Sequence, residues 1–174
     1  IYFFARRKPA IVNRTFGRLQ IISSAWFALT HGANDGQKTM GIIVLILFSV
    51  GLIEELEMPL WVIFAAAAAM GLGTFFGGYK VIKTLGVKVT RLKPYQGFAA
   101  ETSGGLMLAV FATLGIPAST THAITGTIMG AGAARRKRAV RWRVSRQIIF
   151  SWVITIPGAA GLGIAFTYII HLFV

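Results

Sequence analysis

The sequence predicts an all-α integral membrane protein, a multispan helical bundle that contains one interrupted helix and one re-entrant hairpin. Three observations carry this. The 174 residues are 55% hydrophobic and only 13% charged, about half the charged share of a soluble domain. All but one of the 18 Lys and Arg residues fall into three knots separated by long apolar stretches. Two of those stretches carry polar, glycine- or proline-bearing interruptions where an ordinary span would be uniformly apolar.

The knots fix the orientation. They are Arg6, Arg7, Lys8, Arg14 and Arg18; Lys80, Lys83, Lys88, Arg91 and Lys93; and the run from Arg135 to Arg146. Cytoplasmic loops are biased toward Lys and Arg, so all three are expected inside, and the acidic link Glu54, Glu55, Glu57 outside. A nucleic-acid binder with the same +13 net charge would hold its basic face in water. Here the cations flank apolar spans, so nucleic acid is not an expected partner. The chain lacks cysteine, which excludes disulfides and thiolate metal sites. It starts at Ile1 without a recognisable signal peptide, and it reads as a piece of a longer protein.

Residues 1–18 are expected as a cytoplasmic basic segment and 19–174 as the membrane unit. Segment 19–53 starts inside and ends outside. Its roughly 35 residues would span about 52 Å as one helix, too long for one crossing and too short for three. One crossing interrupted at 31–38 is expected. Residues 59–79 form a return span. Residues 95–134 begin and end inside. Their second arm of about 12 residues reaches only about 18 Å as a helix, so a hairpin with its tip at 116–122 is expected. Residues 147–174 form the last span, with a kink at Pro157 and Gly158.

Irregular polar backbone at membrane depth is tolerated where it lines a cavity, as at the midplane sites of transporters. Asp35 and Lys38 lie far from any loop and mark a site or form a structural ion pair. Asn34 can offer its amide oxygen to a cation or cap a half-helix. Ser119, Thr120 and Thr121 at a helix start suit an oxyanion, and they equally suit an N-cap. His122 is a candidate proton relay or a plain hydrogen-bonding residue. Glu101 is an intramembrane carboxylate or a snorkelling interfacial one. No spacing of His, Asp and Ser matches a nucleophile–base motif, so an enzyme is not expected.

The stretch Gly32-Ala33-Asn34-Asp35-Gly36-Gln37-Lys38-Thr39 resembles the GAND signature of the inorganic phosphate transporter (PiT) family. Pro117-Ala118-Ser119-Thr120-Thr121-His122 resembles the hairpin motif of that family, and Glu101 its upstream acidic position. The resemblance implies the second, C-terminal repeat of a bacterial inverted-repeat transporter whose N-terminal repeat would be the missing partner. The fragment alone is not expected to transport. The implied activity is secondary transport of inorganic phosphate by symport with Na⁺ or H⁺, without another cofactor, in the plasma (inner) membrane. Homo-oligomers are compatible with it. Asp35, Ser119, Thr120 and Thr121 would bind phosphate, with Lys38 added here as a counter-charge. Asn34, Asp35 and Glu101 would hold the coupling ion. The alternatives are a sulfate permease of the same family and a non-transporting membrane module. Phosphate is preferred because it can be protonated near neutral pH and then donate a hydrogen bond to a carboxylate.

Overall fold

The computed structural model describes residues 9–172. Arg6, Arg7 and Lys8 lie outside the described residues. Five α-helices follow one another: α1 Pro9–Ser49, α2 Leu60–Lys83, α3 Pro94–Thr113, α4 Thr120–Arg135 and α5 Trp142–His171. Helix α2 runs on into a π-helical segment, Thr84–Val89, and a short 3₁₀ turn, Lys137–Ala139, precedes α5. The expected residues thus form helices, and no strand occurs among those described.

One expectation is overturned. The interruption at 31–38 is absent, and α1 is helical through all 41 of its residues, a length of about 60 Å. It also starts at Pro9, so the boundary drawn between 18 and 19 is not a structural one. Gly32 and Gly36 lower helix propensity by about 1 kcal/mol each relative to alanine. The polar residues around them bridge successive turns instead of breaking them. His31 meets Asp35 four residues on, and Asp35 meets Lys38 three residues on. These are the spacings that a continuous helix brings together. Thr30 and Thr39 return their hydroxyls to carbonyls one turn back. Neither glycine has a positive φ.

The two glycines that do have positive φ end helices. Gly51 (φ +72°) closes α1, where Leu52 N–H donates to Leu47 O and Gly51 N–H to Phe48 O. Gly115 (φ +68°) closes α3 in the same way, with Ile116 N–H to Phe111 O and Gly115 N–H to Ala112 O. This is the Schellman pattern, which needs a left-handed residue that glycine adopts without strain. Pro117 follows directly and stops the chain from resuming the helix.

Helices α3 and α4 form a hairpin, and α3 lies along α1. The contact face of α3 is made of small residues. Gly97 faces Gln20, Gly104 faces Phe27 and Gly105 faces Trp26. Small residues let helix backbones approach closely within a membrane. A Cβ on Gly105 would lie 2.6 Å from the Trp26 ring. Gly105→Leu is therefore expected to destabilise the protein by about 1–3 kcal/mol or more through overpacking. Gly126→Ala, which meets open space, should have little effect. Thermal unfolding of the detergent-solubilised protein checks both, and equal melting temperatures would show that this face is not tightly packed.

The buried cluster Leu85, Val89, Ala100, Ile128 and Val140 sits where the π-helical segment, α3, α4 and the 137–141 loop meet. Gln96 bridges the same region. Its Oε1 accepts from Lys93 N–H and its Nε2 donates to Ala131 O, each at 3.0 Å. Segments 60–89 and 142–171 are long and apolar enough to cross a membrane. They overlap the segments expected as the return span (59–79) and the last span (147–174), and each runs further at its basic end. Helix α5 continues through Pro157.

Candidate functional site

Asp35 lies near the middle of α1, and three side chains converge on it. Thr120 Oγ1, on the first residue of α4, donates to Asp35 Oδ2 at 2.8 Å. His31 Nε2 lies 3.0 Å from the same oxygen. Lys38 Nζ donates to Asp35 Oδ1 at 3.0 Å and also to the carbonyl oxygen of Ala118. The two polar stretches, 80 to 85 residues apart in sequence at these contacts, are thereby clamped together. Thr120 is 6% exposed, while the side chains of Asp35 and Lys38 keep 27% and 34% of their surface open.

The start of α4 explains why the clamp has this form. Ser119 adopts an extended backbone and its hydroxyl accepts the N–H of His122 at 3.3 Å. That is ordinary N-capping, and it leaves the Thr120 hydroxyl for Asp35. The positive end of the α4 dipole lies beside the carboxylate. Thr121 and His122 are exposed. The His122 ring meets the Trp152 ring of α5 edge-on, with centroids 3.8 Å apart. Among the expected phosphate residues, the structure joins Asp35, Lys38 and Thr120 directly. Ser119 acts as the cap next to them, and Thr121 is exposed.

The expected ion ligands are more dispersed. Asn34 is 4% exposed and its Nδ2 has no partner, and it shares a helical stripe with Ser23 and Thr30. Glu101 forms a separate cluster with α1. Ser23 Oγ donates to it at 2.6 Å, Ser24 Oγ at 2.9 Å and Gln20 Nε2 at 3.4 Å. Ser24 precedes Asp35 by 11 residues, about 16 Å along the helix, so Glu101 and Asp35 sit at two levels. Among the described residues no group of three or more His, Asp or Glu side chains could hold a metal ion. Sequence reasoning missed Ser23, Ser24, Gln20 and the Ala118 carbonyl. The first three lay in the assumed start of the span, where polar residues are unremarkable. Of the residues left out of the expected site, His31 carried a readable signal, its i,i+4 spacing to Asp35.

Residues 4–163 match the model of the phosphate transporter family. A Rhizobium meliloti protein named "Probable low-affinity inorganic phosphate transporter" is 51% identical over 160 residues, covering 91% of this chain and 48% of that protein. A Bacillus subtilis protein of the same name is 40% identical over 164 residues, covering 94% of this chain and 49% of that one. The solved structure titled "The sodium-dependent phosphate transporter" superposes with a TM-score of 0.74 at 32% identity, over 88% of this chain and 40% of that one. The chain spans about half the length of the relatives it matches. With two segments able to cross a membrane and a family model matched over nearly its whole length, the chain belongs to the phosphate transporter family.

Proposed function

We propose that this chain is the second repeat of a permease that carries inorganic phosphate across the plasma membrane by symport with a cation. The first repeat would be its partner. The observation that supports this most is the clamp at Asp35, because it joins the α1 signature to the hairpin tip through atoms suited to both solutes. Thr120, the α4 N-terminus and Lys38 offer hydrogen-bond donors and positive charge to an oxyanion. The Asp35 carboxylate and the Ala118 carbonyl offer the hard oxygens that an alkali cation takes. Lys38 spans those two oxygens, so a bound Na⁺ and the ammonium would compete for them. Na⁺ is favoured over H⁺ as the coupling ion, in keeping with the name of the structural neighbour. The α3–α4 hairpin would re-enter from the cytoplasmic side and hold its tip within the membrane. His122, packed on Trp152, would steady the tip and could relay protons only after leaving that ring.

The test is uptake of radiolabelled phosphate by the native full-length protein, with Na⁺ and pH varied separately. Thr120→Val removes the donor to Asp35 and keeps the shape. Loss of one hydrogen bond to a charged group, about 1.5–3 kcal/mol, predicts a 10- to 150-fold weaker phosphate uptake, in round numbers. Ser119→Ala should have a smaller effect, of the order of a lost cap, about 1 kcal/mol. Normal uptake by Thr120→Val would show that the tip is a structural cap. Uptake that follows pH and ignores Na⁺ would replace sodium by protons in this reading.

A further inference from the structure

We propose that the basic loops 80–93 and 135–146 form a single platform that binds the headgroups of anionic phospholipids. In sequence these loops are two separate knots, and a knot alone is normally a solvated loop that sets orientation. The structure joins them. Arg141 N–H donates to Val89 O at 2.8 Å, and Val140, 3% exposed, packs with Leu85 and Val89 in the buried cluster. Gly132 leaves room for Thr90 and Val140; a Cβ there would lie 3.0 Å from Thr90 Oγ1. The indole N–H of Trp142 donates to Lys137 O at 2.9 Å. The cations are thus carried on loops that a buried cluster joins.

Every Lys and Arg of the two loops is exposed. None has a carboxylate within 4 Å among the described residues, where both ion pairs belong to Asp35. Glu101, the one acid between residues 58 and 172, is occupied by Ser23, Ser24 and Gln20. A fixed, uncompensated positive surface requires anions from outside the chain. Its depth identifies them. The two apolar segments, 60–89 and 142–171, both have their basic ends here, so the platform lies at the headgroup layer. Trp142, half exposed, stands at the level where aromatic residues anchor in that layer. Arginine forks such as those of Arg138, Arg141 and Arg143 match phosphate oxygens two at a time. Helix α5 touches the π-helical end of α2 but not α2 itself. The two apolar helices therefore meet only at the platform, which leaves room for acyl chains between them.

The test uses the full-length protein with a cysteine introduced at Ala139, labelled with a fluorophore and reconstituted in phosphatidylcholine vesicles. Any cysteine elsewhere in the native protein is first replaced. Brominated phosphatidylglycerol or brominated phosphatidylcholine is then added as quencher. The anionic lipid is expected to bind about tenfold more tightly at the probe, since each basic residue near an anionic lipid adds to the attraction. Arg138→Gln/Arg141→Gln/Arg143→Gln should bring the two lipids to within about twofold. Equal quenching by both lipids in the unsubstituted platform overturns the proposal, and so does an unchanged preference in the triple variant. Inorganic phosphate is added as a competitor in a separate arm. Displacement of the anionic lipid by phosphate, with no effect of an equal concentration of sulfate, would assign the platform to the free anion and overturn the lipid reading.

Discussion

Asp35→Asn is expected to abolish concentrative phosphate uptake, by about 100-fold or more, while the protein still inserts and folds. The carboxylate is held by His31, Lys38 and Thr120. Asparagine keeps the size and one acceptor oxygen for Thr120, so the hairpin stays near α1. It loses the charge that pairs with Lys38 and would hold a coupling cation. Each charged hydrogen bond lost is worth about 1.5–3 kcal/mol, and two are affected. A coupling ion adds driving force only while its binding is linked to that of phosphate. Exchange of phosphate across the membrane without accumulation can therefore survive in the variant. The discriminating variant is Asp35→Asn/Lys38→Met. If Asp35 served only to neutralise Lys38, removal of both would be nearly neutral and uptake would return. No return is expected, because Thr120 and His31 also converge on this carboxylate. Concentrative uptake by the double variant, measured with radiolabelled phosphate, would reduce Asp35 to a structural ion pair.

What could be read in advance follows from what one sequence encodes locally. Hydropathy and the basic knots carry the helices α2 and α5, because span length and loop charge are properties of contiguous residues. The turn between α3 and α4 was equally legible. Gly115 and Pro117 stop α3, and Ser119 starts α4. The continuity of α1 was not. Gly32, Asn34, Asp35 and Gly36 all disfavour helix taken singly, whereas what holds them helical is the ladder His31–Asp35–Lys38 and the docking of Thr120 and Ala118 onto it. That docking is a pairing across some 80 residues. It leaves no periodic trace in the sequence. The same holds for Ser23 and Ser24 on Glu101, and for the joining of two basic loops into one surface. The sequence names Asp35 and Glu101 as candidate carboxylates, but it does not tell that their clusters lie at two levels along α1.

That second level makes Glu101 the other position with a large expected effect. Ser23 and Ser24 of α1 donate to Oε2, and Gln20 lies 3.4 Å from Oε1. A carboxylate can accept all three, since it offers about four lone-pair sites. Glu101→Gln replaces one acceptor oxygen by a donor NH₂. The remaining oxygen can stay on the two serine hydroxyls with the NH₂ toward Gln20, whose amide must then turn to accept, so the serine bonds become neutral ones and drop from about 1.5–3 to about 0.5–1.5 kcal/mol each. The variant is expected to insert, unfold at lower temperature and lose most phosphate uptake. Reduced stability alone could explain lost uptake, so a second variant separates the two. In Glu101→Leu/Ser23→Ala/Ser24→Ala the acceptor and both hydroxyl donors are removed together, which is far less costly than stranding one side. Its thermal stability should recover most of the loss seen in Glu101→Gln, because the α1–α3 contact also rests on Gly97, Gly104 and Gly105 against Gln20, Phe27 and Trp26. Uptake should not recover if the carboxylate takes part in cation coupling. Recovery of both stability and Na⁺-dependent uptake in the triple variant would show that Glu101 only clamps α3 to α1, and of these two carboxylates would leave Asp35 to the coupling ion.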